Sequence, residues 1–185
     1  MIFPPANRRV VILDRDGTIV VDRSYLDDPD GLEFLPGAAE GLRALHEHGY
    51  RLVVITNQSG VGRGYISLRQ LELIHDRLTE MVRLAGAQLD GIFFCPHTPS
   101  AGCSCRKPQL GLLMRAASEL DFDPSTVVVV GDKESDIEFG HRVGAPTVLI
   151  SNSATSATTA TLPDFIAPDL AQAAQFIQNN TAKCR

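Results

Sequence analysis

Val10-Val11-Ile12-Leu13-Asp14-Arg15-Asp16-Gly17-Thr18 decides the fold. Four apolar residues, mostly β-branched, run into two carboxylates one residue apart and then into a Gly-Thr turn. The run has the length and branching of a strand buried on both faces of a parallel sheet. Open α/β sheets place their ligands outside the carboxyl ends of such strands. Two carboxylates there suit a hard cation such as Mg²⁺. They also offer a nucleophile, Asp14, beside an acid/base, Asp16. Taken alone, Asp-x-Asp-Gly also fits an ordinary strand followed by an Asx turn.

Two later stretches repeat the design. Val53-Val54-Ile55 runs into Thr56-Asn57-Gln58-Ser59, and Val127-Val128-Val129-Val130 runs into Gly131-Asp132-Lys133-Glu134-Ser135-Asp136. The patterning predicts strands over residues 10–13, 51–55, 91–94, 127–130 and 147–150. Helices are expected over 37–47, 110–120, 135–143 and 169–179, with another running from an N-cap at Ser67 to about Leu84. In that helix Leu68, Leu71, Ile74, Leu78 and Met81 form the expected core stripe. Strands alternating with helices predict an α/β chain with a parallel sheet covered on both faces. Right-handed crossovers then bring Asp14, Thr56 and Asp132 to one rim. A loop, a helix and a strand fill the stretch from Asp16 to Thr56, so no large cap is expected there. Gly60-Val61-Gly62-Arg63-Gly64 lacks nucleotide-loop spacing and reads as a flexible loop. The Ser/Thr/Ala-rich stretch 151–161 reads as a mobile connector.

Composition narrows the function. At 185 residues the chain is expected to form one domain spanning 1–185. A hydrophobic content of 44% supports a packed core and argues against disorder. A net charge of −5, no Trp and no basic stripe give no support to nucleic-acid binding. Residues 1–9 lack the apolar core of a signal peptide. No run approaches the ~20 apolar residues that span a bilayer. The expectation is a soluble, cytoplasmic monomer with no membrane partner.

Three of the four cysteines gather beside one imidazole, in Cys95-Pro96-His97 and Cys103-Ser104-Cys105. Three thiolates and one imidazole make a complete tetrahedral Zn²⁺ set with no open position, the pattern of a structural site. A Cys103–Cys105 disulfide, or unrelated thiols with an exposed His97, would use the same residues differently. Arg106-Lys107-Pro108 follows directly, so zinc would fix the loop that carries two cations. Cys184 is remote and reads as a free tail thiol.

In order and spacing, Asp14–Thr18, Thr56–Ser59, Lys107 and Asp132–Asp136 resemble the four motifs of the haloacid dehalogenase-like (HAD) phosphohydrolases, over roughly residues 9 to 150. The resemblance implies a Rossmann-like three-layer sandwich and Mg²⁺-dependent phosphate ester hydrolysis. It implies that Asp14 forms an aspartyl-phosphate and that Asp16 acts as acid and base. Thr56 and Asn57 would hold the transferring phosphoryl group, and Lys107 would tie it to the nucleophile. Asp132 would complete the Mg²⁺ site with Asp14 and the Asp16 carbonyl, with Asp136 supporting it from one turn further out. Helix-capping roles for Asp132 and Asp136 remain the alternative.

Within the superfamily the zinc loop resembles that of phosphatases removing the 7-phosphate of D-glycero-D-manno-heptose 1,7-bisphosphate, which feed lipopolysaccharide precursor synthesis. Their substrate-contacting segments correspond to Asp22-Arg23-Ser24-Tyr25, Thr56-Asn57-Gln58-Ser59, Arg106-Lys107 and Lys133. Histidinol-phosphate phosphatases share the scaffold. A sugar bisphosphate wants extra cations, here Arg106 and Lys133, with Arg23 a further candidate. A cationic amine wants a carboxylate such as Asp22 or Glu134. Both sets are present, so the substrate stays open between a small phosphorylated sugar and histidinol phosphate. A third reading, a zinc-loop binding module without catalysis, has no need of Asp14, Asp16, Lys107 and Asp132 together.

Overall fold

The computed structural model describes residues 9–151 and 161–181. In chain order the first half comprises β1 (Val10–Leu13), α1 (Ala38–Glu47), β2 (Arg51–Asn57), the short α2 (Ser59–Gly62), α3 (Leu68–Leu84) and β3 (Leu89–Cys95). The second half comprises α4 (Gly111–Leu120), β4 (Val128–Gly131), α5 (Glu134–Val143), β5 (Thr147–Ile150), β6 (Phe165–Ala167) and α6 (Leu170–Thr181). The strands form one parallel sheet in the order β3-β2-β1-β4-β5-β6. The central strand is the one that ends in Asp14.

Strand pleating explains why its apolar run does not alternate. Successive side chains point to opposite faces, and both faces of β1 are covered. Val11 and Leu13 join a core with Leu42 and Leu45 of α1 and Ala174 and Ile177 of α6. Val10 and Ile12 join a second core with Leu112 and Leu113 of α4 and Phe139 of α5. The result is the three-layer Rossmann-like sandwich that the alternation of elements predicts. No described helix is long and apolar enough to cross a membrane.

Several boundaries differ from the sequence reading, each for a physical reason. β2 continues through Thr56 and Asn57 because β3 pairs with them as far as Cys95. The Ser67 cap is present, completed by a reciprocal bond from its N–H to Gln70. The stripe of α3 is turned slightly: Leu71, Ile74, His75, Leu78 and Val82 are buried, whereas Leu68 is exposed. The glycine-rich stretch after Ser59 is a helical turn rather than a flexible loop. Its Gly62 N–H donates to the Pro96 carbonyl at 2.8 Å. β6 has no counterpart in the sequence reading. It is held by Asp164, whose carboxylate accepts from both the N–H and the hydroxyl of Thr147. Most of the expected connector at 151–161, together with Cys184, lies outside the described residues.

Candidate active site at the strand ends

Asp14 is the first residue past β1, and its N–H donates to Val130 O of β4 at 3.0 Å. Two glycines let the neighbouring segments close in. Gly17 has φ 83°, and a Cβ there would run into the Asp132 carboxylate. A Cβ on Gly131 would run into the Asp136 side chain. Only glycine permits both approaches. The outcome is a cluster in which carboxylate oxygens of Asp14, Asp132 and Asp136 all lie within 4.8 Å of one another.

Lys107 is the cation inside this cluster. Its Nζ lies 2.8 Å from Asp14 Oδ1 and 2.7 Å from Asp136 Oδ1, and its side chain is 3% exposed. Burial pulls its pKa down, but the charges of Asp136 and Asp14 outweigh that and raise it above the usual lysine value. The ammonium is therefore held charged. Asn57 fixes the backbone beneath it, since Lys107 N–H donates to Asn57 Oδ1 and Asn57 Nδ2 donates to Lys107 O. The Lys107–Pro108 peptide is cis. Asp136 also accepts the Lys133 N–H at 3.1 Å and so tethers the start of α5. It sits against Lys107 directly rather than at the periphery.

Asp16 has a different environment. The side chain of Arg15, 1% exposed, turns inward and holds the Asp16 carboxylate through Nε and Nη2. Gln58 completes the ring by donating to Asp16 Oδ2 at 2.7 Å and to Thr56 Oγ1 at 2.9 Å. His75 of α3 lies buried in reach of the Arg15 charge. Burial, then Arg15, push its pKa down to about 3, so it is a neutral imidazole. Neither Arg15 nor His75 was singled out by sequence. An arginine between two aspartates reads as a solvated loop residue, and a histidine on an apolar helix face carries no signal of its own.

Some of these groups line a cavity of about 330 Å³, while Asp132, Asp136, Arg15 and His75 are not among its lining residues. Asp14, Asp16, Thr56 and Lys107 line it together with Asn57, Gln58 and Ser59. Asp22, Ser24, Tyr25, Arg106 and Lys133 line it as well. Lys133 Nζ is 3.1 Å from Asp22 Oδ2, an exposed pair at the cavity edge. Arg23 is the exception among the residues expected to contact substrate. It is not a lining residue and pairs with Glu33 at 2.7 Å on the surface. Its neighbour Ser24 is in the left-handed region, at φ 63°, and turns the segment there.

The donor set fits a divalent cation. Asp132 Oδ1 is a buried carboxylate oxygen with no hydrogen-bond partner among the described residues. Burial, with added repulsion from Asp14 and Asp136, pushes the Asp132 carboxyl up to about 7 despite Lys133 nearby. Such an oxygen is costly to keep ionised without a cation. Stability should follow. A carboxyl whose folded pKa lies above its ordinary 3.8 binds a proton that the unfolded chain has already lost. Metal-free protein should therefore lose stability as pH rises from about 4 to 7. Saturating Mg²⁺ should raise the Tm much more at pH 7.5 than at pH 5. Equal Mg²⁺ shifts at the two pH values would remove Asp132 from the cation site.

The cysteine loop also converges. Cys95 Sγ lies 3.2 Å from Cys105 Sγ and 3.6 Å from Cys103 Sγ, and His97 Nδ1 lies 3.2 Å from Cys105 Sγ. These are free thiols, not a disulfide. Four donors within 4.8 Å of one another, with three sulfurs in mutual contact, fit the corners of a tetrahedral Zn²⁺ site, whose Zn–S bonds are about 2.3 Å.

A HAD-hydrolase-like family model matches residues 104–173. The chain is 41% identical over 139 residues to a D-glycero-beta-D-manno-heptose-1,7-bisphosphate 7-phosphatase of Pasteurella multocida, covering 72% of this chain and 76% of that one. The chain belongs to the HAD-like hydrolases. It is a phosphatase of that family. A probable D-glycero-D-manno-heptose-1,7-bisphosphate 7-phosphatase of Thermoplasma volcanium is 36% identical, over 75% of this chain and 95% of that one. Among solved structures, the D,D-heptose 1,7-bisphosphate phosphatase of B. bronchiseptica, complexed with magnesium and phosphate, superimposes with a TM-score of 0.83. It is 32% identical, and the match covers 93% of this chain and 99% of that chain.

Proposed function

We propose that this HAD-like phosphatase removes the 7-phosphate of D-glycero-D-manno-heptose 1,7-bisphosphate. The observation that carries the reading is a cavity with cations beyond the one that serves the nucleophile. Lys107 is committed to Asp14 and Asp136, while Arg106 and Lys133 line the same cavity. A substrate with a second anionic end uses them, and the names of the relatives agree. Asp22 and Lys133 already face each other at 3.1 Å, so an anion competes with Asp22 for Lys133 just as an amine competes with Lys133 for Asp22. Arg106, which donates to the neutral His97 carbonyl at 3.3 Å, is what favours the second anion.

The chemistry follows from the arrangement. Lys107 occupies Asp14 Oδ1, which leaves the other oxygen to attack phosphorus. As the ester P–O bond breaks, Asp16 gives its proton to the departing alkoxide. The acyl phosphate on Asp14 then meets a water molecule whose proton passes to Asp16, and phosphate leaves. Thr56 Oγ1 accepts from Gln58, so its own hydrogen is free to donate to a phosphoryl oxygen. Asp14, Asp132 and the Asp16 carbonyl would hold Mg²⁺, which when bound neutralises phosphoryl charge and orients the ester. Cys95, His97, Cys103 and Cys105 would hold a structural Zn²⁺ that keeps Arg106 and Lys107 in place.

Measuring kcat/KM side by side on the heptose bisphosphate and on histidinol phosphate tests the assignment. We expect at least a hundredfold preference for the bisphosphate, in protein that retains one zinc per chain after dialysis. A preference for histidinol phosphate would overturn the substrate. Full activity without zinc would overturn the loop's metal.

A further inference from the structure

We propose that Arg15 and Gln58 are positioning residues that hold Asp16 ready for its proton transfers. The inference rests on Asp16 being the acid and base of the reaction, as set out above.

Arg15 is among the largest fully buried side chains in the protein. A charged side chain is buried when its partners require it. Here the partners are two: Asp16, gripped through Nε and Nη2, and Gln58, whose Oε1 accepts from Nη2 at 3.0 Å. Guanidinium has donors only, so the Gln58 atom facing it must be the carbonyl oxygen. That fixes the other end of the amide as the donor. Its two hydrogens go to Asp16 Oδ2 and to Thr56 Oγ1. The donors of Gln58 are then spent, and none remains for substrate. Gln58 lines the cavity but works on the protein rather than on the ligand.

The three side chains close a ring: Asp16 to Arg15, Arg15 to Gln58, and Gln58 back to Asp16. Asp16 is 13% exposed, so a small part of its carboxylate reaches the cavity while the rest is gripped from behind. A carboxylate on a short loop is otherwise free to rotate. Proton transfer needs it within hydrogen-bond reach of the departing oxygen. The ring also ties Asp16 to Thr56, so the residue that meets the leaving group and the one that meets the phosphoryl group move as one unit.

The test separates positioning from folding by leaving group. An alkoxide needs a proton to depart, whereas p-nitrophenolate does not. Asp16→Asn, Arg15→Met and Gln58→Leu are compared on the heptose bisphosphate and on p-nitrophenyl phosphate with Mg²⁺, following the pre-steady-state burst. Asp16→Asn should lose roughly 10²–10⁴-fold in kcat on the sugar phosphate, the usual worth of an acid/base. Arg15→Met and Gln58→Leu should lose at least about tenfold on it, with KM unchanged. On p-nitrophenyl phosphate both should keep the burst rate within about threefold. Steady-state turnover should then slow, because water is no longer activated and the phosphoenzyme accumulates. Gln58→Leu keeps the Arg15–Asp16 pair and carries the test if Arg15→Met does not fold. Equal loss of burst rate on both substrates, a change confined to KM, or no loss on the sugar phosphate would overturn the proposal. Full sugar-phosphate turnover by Asp16→Asn would instead overturn the role of Asp16 itself.

Discussion

Replacing Asp14 by Asn should abolish phosphate release and leave the fold standing. The amide has the carboxylate's shape, and its oxygen still accepts from Lys107 Nζ, which lies 2.8 Å from Asp14 Oδ1. The backbone bond from Asp14 N–H to Val130 O is untouched. On the proposed mechanism the loss is the attacking oxygen. Removing a nucleophile in other enzymes costs many orders of magnitude, so a fall of at least about 10⁴-fold in kcat is expected. Acid-quenched wild-type enzyme should carry labelled phosphate on Asp14, and the Asn variant should carry none. Near-normal turnover by a folded Asp14→Asn protein would end the covalent mechanism.

Lys107→Met should damage both stability and chemistry. The ammonium lies among Asp14 and Asp136 with its side chain 3% exposed. Removing it leaves two buried carboxylates facing each other, a loss of about 3–5 kcal/mol by analogy with broken buried pairs. Asp136 is already pushed above the ordinary carboxyl range by burial, with Lys107 pulling the other way. Without Lys107 the pair should take up a proton, and the variant should be less destabilised at pH 5 than at pH 8. Turnover should fall by about 10³-fold or more, since each 1.4 kcal/mol of lost transition-state stabilisation is a factor of ten. Mg²⁺ should recover part of the Tm but not the turnover. A variant as stable as wild type at pH 8 would show that the lysine does not balance these carboxylates.

The fold was legible because its strands are buried on both faces. A continuous Val/Ile/Leu run has one common use in an α/β chain, and β1, β2 and β4 all announce themselves that way. β6 did not, because Phe165–Ala167 is three residues long and its place depends on Asp164 reaching Thr147. Local sequence holds no trace of that contact. The phase of α3 was misjudged at its ends, where Leu68 is exposed and Val82 is buried, because a helix turns only 3.6 residues per cycle and tertiary packing selects the face.

In the site, the residues that sequence brings forward by their chemical type do come together at one rim, while a residue whose part is a buried contact carried no such signal. Asp14, Lys107, Asp132 and the cysteines fall into the first group. Arg15 falls into the second, and Gln58, expected to contact substrate, instead bonds Asp16 and Thr56. Arg23 errs in the opposite direction. Its charge suggested phosphate, but the backbone turn at Ser24 leaves it paired with Glu33 outside the cavity.

The sheet order has a consequence for how the enzyme comes into being. Val11 of the central strand pairs with Leu52 on one side and Val128 on the other. Parallel pairings between distant segments form slowly and late, because the intervening chain must first be ordered. A growing chain that has not reached Val128 carries Asp14 at the end of a strand with one open edge, without Asp132 or Asp136. Such a chain can collapse around α1 and β2, yet it has neither a complete cation site nor a balanced Lys107. A chain of that length therefore has only part of the carboxylate cluster, and its unpaired strand edge is where a stalled or truncated chain would be prone to aggregate.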